Sequence, residues 1–201
     1  MFISKIFSFF FVCMLAVCGN LVLQNENTNQ NQQKENTNKN QQKETTELYL
    51  SMKRSFCFGD CPIYDLTIQS NGKVIFEGKK YTKTIGRIES KLEKEKIKQL
   101  ITEIEKANFF SLDNAYNYDS NNCPVFVEDS PSITLYIKLN GKEKTINHGW
   151  GCWVDSPTEN DSAIIKPKKN WSLRIFPQEL YLLENKVDEL VETQRWIGER
   201  K

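Results

Sequence analysis

Cysteine, histidine and tryptophan are the side chains of this chain whose types and spacing could do chemistry. Cys57 and Cys61 stand four apart around Gly59, in Cys57-Phe58-Gly59-Asp60-Cys61, and Pro62 then leads into an alternating, strand-like run. A thioredoxin-like redox centre wants two intervening residues and a helix start. Here there are three, followed by a strand. Residues four apart in an extended strand lie about 13 Å apart, beyond the ~7 Å that a disulfide allows between Cα atoms. Bridging therefore requires a turn, which Gly59 permits. Of the six cysteines, signal removal or acylation takes out Cys13 and Cys18. That leaves Cys57, Cys61, Cys123 and Cys152, an even set in an oxidising compartment. The expected pairs are Cys57–Cys61 and Cys123–Cys152. Four cysteines allow three pairings, and a shared four-thiolate zinc site is the competing arrangement.

His148 is the only histidine, so Ser-His-Asp or Cys-His catalysis would have to pass through it. Its position on a strand predicts a packed, structural role. The run His148-Gly149-Trp150-Gly151-Cys152-Trp153 concentrates two tryptophans at a strand end. Strand-end tryptophans more often cap a core, and His148, Trp150 and Trp153 are the candidate binding surface should they instead stack on a sugar or anchor a partner. Asn117, Asp119, Asn121 and Glu128 fall at EF-hand positions 1, 3, 5 and 12. Position 1 is not Asp, and position 6 is Asn122 in place of Gly, so an ordinary Asn-rich loop is the better reading. No metal, cofactor or catalytic constellation is expected.

The N-terminus sets the compartment. Residues 1–23 read as a signal: Lys5 is the sole charge, and Ile6 to Val17 is an apolar run too short to span a bilayer comfortably. Leu15-Ala16-Val17-Cys18 resembles a bacterial lipobox, departing from it at Val17, and makes Cys18 the expected lipidation site. Residues 24–47 contain a tandem repeat, ENTNQNQQK followed by ENTNKNQQK. Such polar sequence cannot bury enough surface to offset the entropy of ordering, so it reads as a disordered tether. The expected location is the bacterial cell envelope, with the membrane reached through a lipid anchor. The 27 basic and 26 acidic residues give a net charge of +1, which offers no electrostatic case for a nucleic-acid partner. Lys166, Lys168 and Lys169 read as a solvated loop.

The elements that must position these residues occupy 48–201, a single domain. Leu48 to Arg54 is a first strand. Tyr64, Leu66 and Ile68 alternate with polar residues. A three-residue loop, Ser70-Asn71-Gly72, pairs Ile68 with Val74 and Leu66 with Phe76, collecting apolar side chains on one face and requiring a left-handed Gly72. A third strand is expected around Tyr81 to Glu89. Ser90 and Glu93 have capping-box spacing ahead of a helix carrying Ile97, Leu100, Ile101, Ile104 and Ala107 on one face and ending near Asn108. A second hairpin turns at Asn140-Gly141, with Leu135 opposite Ile146 and Ile133 opposite His148. Pro177, placed at N1, opens a second amphipathic helix with Leu180, Leu183, Val187, Leu190 and Val191 inward. Trp196 pins the C-terminus. The order β-β-β-α-β-β-α, without βαβ crossovers, indicates an α+β fold: an antiparallel sheet with two helices packed on one face.

Several of these segments carry a resemblance. Cys57-Phe58-Gly59-Asp60-Cys61-Pro62-Ile63-Tyr64, Asn71-Gly72, Phe76-Glu77-Gly78, EKANFFSL at 105–112, Asp129-Ser130-Pro131 and Thr193-Gln194-Arg195-Trp196-Ile197 are similar to a bacterial family of domains of unknown function, the one numbered 6438. The resemblance runs over roughly residues 48–197, with a longer link at 154–176 than the family usually has. It implies an envelope location and this fold, and it supplies no activity. The functional expectation is therefore a non-enzymatic, envelope-anchored interaction module for a protein, glycan or cell-wall partner, inhibition being one form of it. The rival is an envelope thiol- or metal-dependent enzyme using Cys57 and Cys61.

Overall fold

The computed structural model describes residues 47–155 and 171–198. The expected signal, 1–23, with Cys18, and the expected tether, 24–47, except Glu47, lie outside the described residues, as does the lysine stretch at 166–169. Four strands precede the first helix: β1 (Leu48–Arg54), β2 (Ile63–Gln69), β3 (Lys73–Lys80) and β4 (Gly86–Lys91). Helix α1 (Lys94–Lys106) follows. Then come the short β5 (Ala115–Tyr116) and β6 (Val125–Phe126), the long hairpin β7 (Ser132–Leu139) and β8 (Lys142–Gly149), and the short β9 (Cys152–Trp153). Helices α2 (Gln178–Val191) and α3 (Gln194–Ile197) close the chain.

The sheet order is β4-β3-β2-β1-β7-β8-β5, with a separate β6-β9 pair. The pairs are antiparallel except that of β5 with β8, whose two residues run parallel. Both hairpins hold the register that the alternation demands. Ile68 faces Val74 and Leu66 faces Phe76, and Leu135 faces Ile146 and Ile133 faces His148. Gly72 has φ +84, and a Cβ there would sit 2.5 Å from the carbonyl oxygen of Leu92. Glycine is therefore required by both conformation and close approach. Asn140 and Gly141 both have positive φ, as a type I′ turn needs.

Alternate residues of β1, β2, β3 and β7 are buried and join the inward faces of α1 and α2 in one core. The fold is thus α+β, with the helices layered on one face of the sheet. The opposite face carries Tyr49, Ser51, Lys53, Asp65, Thr134 and Tyr136.

Three local expectations are corrected by longer-range pairing. The strand expected around Tyr81 to Glu89 is β4 at Gly86–Lys91, the fourth and not the third before α1, and it starts five residues later because Tyr81 turns with φ 54. Ser90 caps no helix. It stays in β4 opposite Val74, Leu92 N–H donates to the Gly72 carbonyl at 2.8 Å, and α1 begins after Glu93, which makes no side-chain cap bond. The ladder with β3 outcompeted the capping box. Pro177 is the N-cap residue, in extended conformation, one position before its expected place.

Candidate functional site

The Cys57–Cys61 ring is built at the far end of the β1–β2 hairpin. The two cysteines are joined by a disulfide with Cα atoms 5.7 Å apart, and Gly59 between them has φ +131, the left-handed side that glycine adopts freely. Phe58 N–H donates to the Asp129 carbonyl at 3.1 Å, and Ser55 N–H to the Ser132 carbonyl at 2.9 Å. The Ser55 and Ser132 hydroxyls lie 2.7 Å apart. A five-residue ring is too small to fold a side chain back over itself, so Phe58 within it is 87% exposed, and Phe56, just before Cys57, is 73% exposed. Beside them a shallow depression of about 240 Å³ is lined by Lys53, Phe56, Ile63, Asp65 and Lys79, among others.

The neck of this loop is fixed from beneath. Arg54 and Tyr64 are register partners on β1 and β2, and both bind one carboxylate on α2. Arg54 Nη2 donates to Asp188 Oδ2 at 2.6 Å, and the Tyr64 hydroxyl donates to Asp188 Oδ1 at 2.6 Å. Thr193 Oγ1 adds a third bond to Asp188, at 2.9 Å. Burial works against the Arg54 charge, but Asp188, Tyr64 and Glu184 outweigh it and hold the guanidinium above its ordinary value. Burial also pushes the Tyr64 hydroxyl upward; Arg54 opposes this and Asp188 reinforces it.

Arg54 also stacks 4.7 Å from the Trp150 ring centroid, a desolvated cation–π contact. Trp150 Nε1 donates to Glu184 Oε2 at 2.8 Å. Glu184, fully buried, accepts the approach of His148 Nδ1 at 2.9 and 3.0 Å, while His148 Nε2 lies 3.2 Å from the Phe176 carbonyl oxygen. A carbonyl only accepts, so Nε2 carries hydrogen. The polar chain runs from Thr193 through Asp188, Arg54, Trp150 and Glu184 to His148, and ties the stapled loop to α2 and to the end of β8.

The expected surface of His148, Trp150 and Trp153 is turned inward. His148 is 0% exposed and Trp153 6%; Trp150 is half-buried. Trp153 Nε1 donates to the Trp150 carbonyl at 3.0 Å. Glycine at 151 lets this strand end pass against the backbone: a Cβ there would sit 2.0 Å from the Val127 carbonyl oxygen, and the Val127 N–H donates to the Gly151 carbonyl at 2.7 Å. Cys123 and Cys152 form the second disulfide, with Cα atoms 5.4 Å apart, fastening the Asn-rich loop to β9. Asp119, Asn121 and Glu128 of that loop are exposed, and among the described residues no group of three His, Cys, Asp or Glu side chains is arranged to hold a metal. Among the described residues no helix is long and apolar enough to cross a membrane.

Sequence reasoning missed Phe56 and Phe58 as surface residues, although the confinement of Phe58 to a small ring was a readable signal. It also missed Arg54, Glu184 and Asp188. Glu184 and Asp188 carried a faint sign: they share the buried helical face of Leu180, Leu183, Val187 and Val191.

A sheet covered on one face by two helices, with a cystine-closed loop at one hairpin end, defines a small α+β domain with stapled extensions. Residues 48–166, more than half the chain, match the family model described as Domain of unknown function (DUF6438). The chain belongs to that family. No curated protein matches it.

Proposed function

We propose that this protein is a non-catalytic interaction module of the bacterial envelope, carried by acylated Cys18 and a polar tether, that engages a protein partner through its stapled loop. The observation that carries the reading is the exposure of Phe58, 87%, inside a covalently closed ring, and of Phe56, 73%, at its base. Two phenylalanines exposed within three residues of one another supply apolar area of the kind that marks contact surfaces. Held rigid by a disulfide and by the Asp188 clamp, they lose little entropy on binding and resemble the aromatic anchors that dominate protein interfaces.

A thiol enzyme at Cys57 and Cys61 is the rival. Against it, the two sulfurs are bonded to each other, the motif runs into β2 and not into a helix N-terminus, and His148 is sealed inside the core with both nitrogens engaged.

Cross-linking of the native protein in intact envelopes, followed by comparison with a Phe56→Ser/Phe58→Ser variant, tests the proposal. The expected result is a defined cross-linked protein species that the double variant loses while melting normally. Unchanged cross-linking in the variant, or thiol-dependent turnover abolished by Cys57→Ser, would sink the reading. Intact-mass analysis of the native protein checks the location: a mature N-terminus other than diacylated Cys18 removes the lipid anchor from the proposal.

A further inference from the structure

The seven-stranded sheet has two edges, and they are treated differently. At one, β5 pairs with Asn147 and His148 of β8. Lys144 Nζ reaches from β8 to the carbonyl oxygens of Phe110, at 3.3 Å, and Leu112, so the segment after α1 shields that edge. At the other, β4 ends the sheet order among the described residues. An uncovered strand presents a row of N–H and C=O groups able to pair with another chain.

The charges along β4 are self-complementary. Arg87, Glu89 and Lys91 lie opposite Glu77, Ile75 and Lys73 of β3, on the open face, while Ile88 lies opposite Phe76 on the helix face. Antiparallel pairing of β4 with a second copy, across a two-fold axis normal to the sheet, makes one residue face itself. Centred on Ile88, it sets Arg87 opposite Glu89 of the second copy, and Glu89 opposite Arg87, with Ile88 meeting Ile88. Centred on Arg87, two guanidiniums collide. Centred on Glu89, two carboxylates collide and Arg87 faces Lys91. Opposite charges directly across a ladder stabilise it, and like charges destabilise it. Hydrogen bonds from Arg87 and Lys73 hold the Glu89 carboxyl below its usual range, so its charge persists in mildly acidic surroundings. Ile85, 64% exposed at the entrance to β4, would gain cover.

We infer that β4 is a self-association edge, at which two copies of this chain join antiparallel about Ile88 into one continuous sheet. The contact is isologous and therefore closes on itself. The shielded β8 edge stops further growth, so the product is a dimer and not a fibre. The two-fold axis normal to the sheet leaves both open faces on the same side. An edge of six residues buries less than the roughly 800 Å² per partner of a standard interface, which points to a weak dimer.

Sedimentation of the full chain over a concentration series reads this directly. The wild type should shift from monomer to dimer as concentration rises. Arg87→Glu, which places carboxylates opposite one another twice, should weaken the dimer roughly tenfold or more, and so should Glu89→Arg. The swap Arg87→Glu/Glu89→Arg restores opposite charges across the axis and should restore dimerisation. Thermal melts show whether each variant folds. Hydrogen exchange at residues 86–91 should slow with concentration in the wild type and in the swap. A chain that stays monomeric at its highest soluble concentration, or a folded swap variant no better than either single variant, overturns the proposal.

Discussion

Asp188 accepts from Arg54, Tyr64 and Thr193 at once, so one carboxylate on α2 fixes both strands at the neck of the exposed loop. Removing it would leave the Arg54 guanidinium buried without its partner, and breaking such a pair typically costs about 3–5 kcal/mol. Tyr64 offers a gentler probe, since Asp188 keeps two donors when the hydroxyl is lost. Burial raises the Tyr64 hydroxyl above its ordinary value of 10.0. The folded protein therefore retains this proton where the unfolded chain releases it. The unfolded state binds fewer protons above pH 10, so stability falls as pH rises there. The contribution is complete below that pH and is lost above it. Tyr64→Phe should melt lower at neutral pH, by about 1.5–3 kcal/mol for a hydrogen bond to a charged group. It should also show a shallower decline than the wild type between about pH 9 and pH 11. Parallel melting curves across that range would mean that Tyr64 does not titrate with unfolding.

At the scale of elements, two covalent ties act on different things. The Cys57–Cys61 ring shapes a surface loop, whereas Cys123–Cys152 joins a long excursion to β9, with Cys152 fully buried. Chain-entropy reasoning gives about 2 kcal/mol for the short ring and about 3.5 kcal/mol for the long one. Cys123→Ser/Cys152→Ser should thus lower the melting temperature more than Cys57→Ser/Cys61→Ser. The second pair of substitutions should chiefly loosen the presentation of Phe56 and Phe58, seen as faster exchange at residues 55–62. The reverse order of melting temperatures would show that the small ring supports more of the fold than its size implies. Helix α2 is held by Leu180, Leu183 and Val187 in the core and by Glu184 and Asp188 in the polar chain. Its docking and the rigidity of the loop are therefore one property.

For the whole molecule, β1 is the central strand, joining β2 on one side and β7 on the other. The two hairpin groups become one sheet through the pairing of Leu50 with Ile137 and of Met52 with Leu135. Among the described residues the first element begins at Leu48, with the Glu47 N–H donating to Asn140 Oδ1. A chain starting at Glu47 should melt within a few degrees of the mature protein, because the polar repeat before it has no pattern for burial. A large loss measured by calorimetry would mean that the preceding segment docks on the domain.

Strand periodicity, turn chemistry and cysteine parity were legible without the structure because each is local. Alternation fixes which residues of a strand are inward, and Gly72 and Asn140-Gly141 fix the registers of Ile68 with Val74 and of Leu135 with Ile146. The small ring around Gly59 fixes the Cys57–Cys61 bridge. The capping box at Ser90 misled because a capping signal cannot show that β3 will claim the same residues for a ladder. The pairing of β1 with β7 joins segments more than 75 residues apart, with no turn between them to record it. The convergence of Arg54, Tyr64, His148, Glu184 and Asp188 has the same origin. Charged residues on an amphipathic helix read as solvent-facing, and only the crossing of α2 over the end of the sheet desolvates Glu184 and supplies its partners. That crossing also encloses His148, whose Nδ1 meets Glu184, while Phe56 and Phe58 stay in water beside the Cys57–Cys61 bridge.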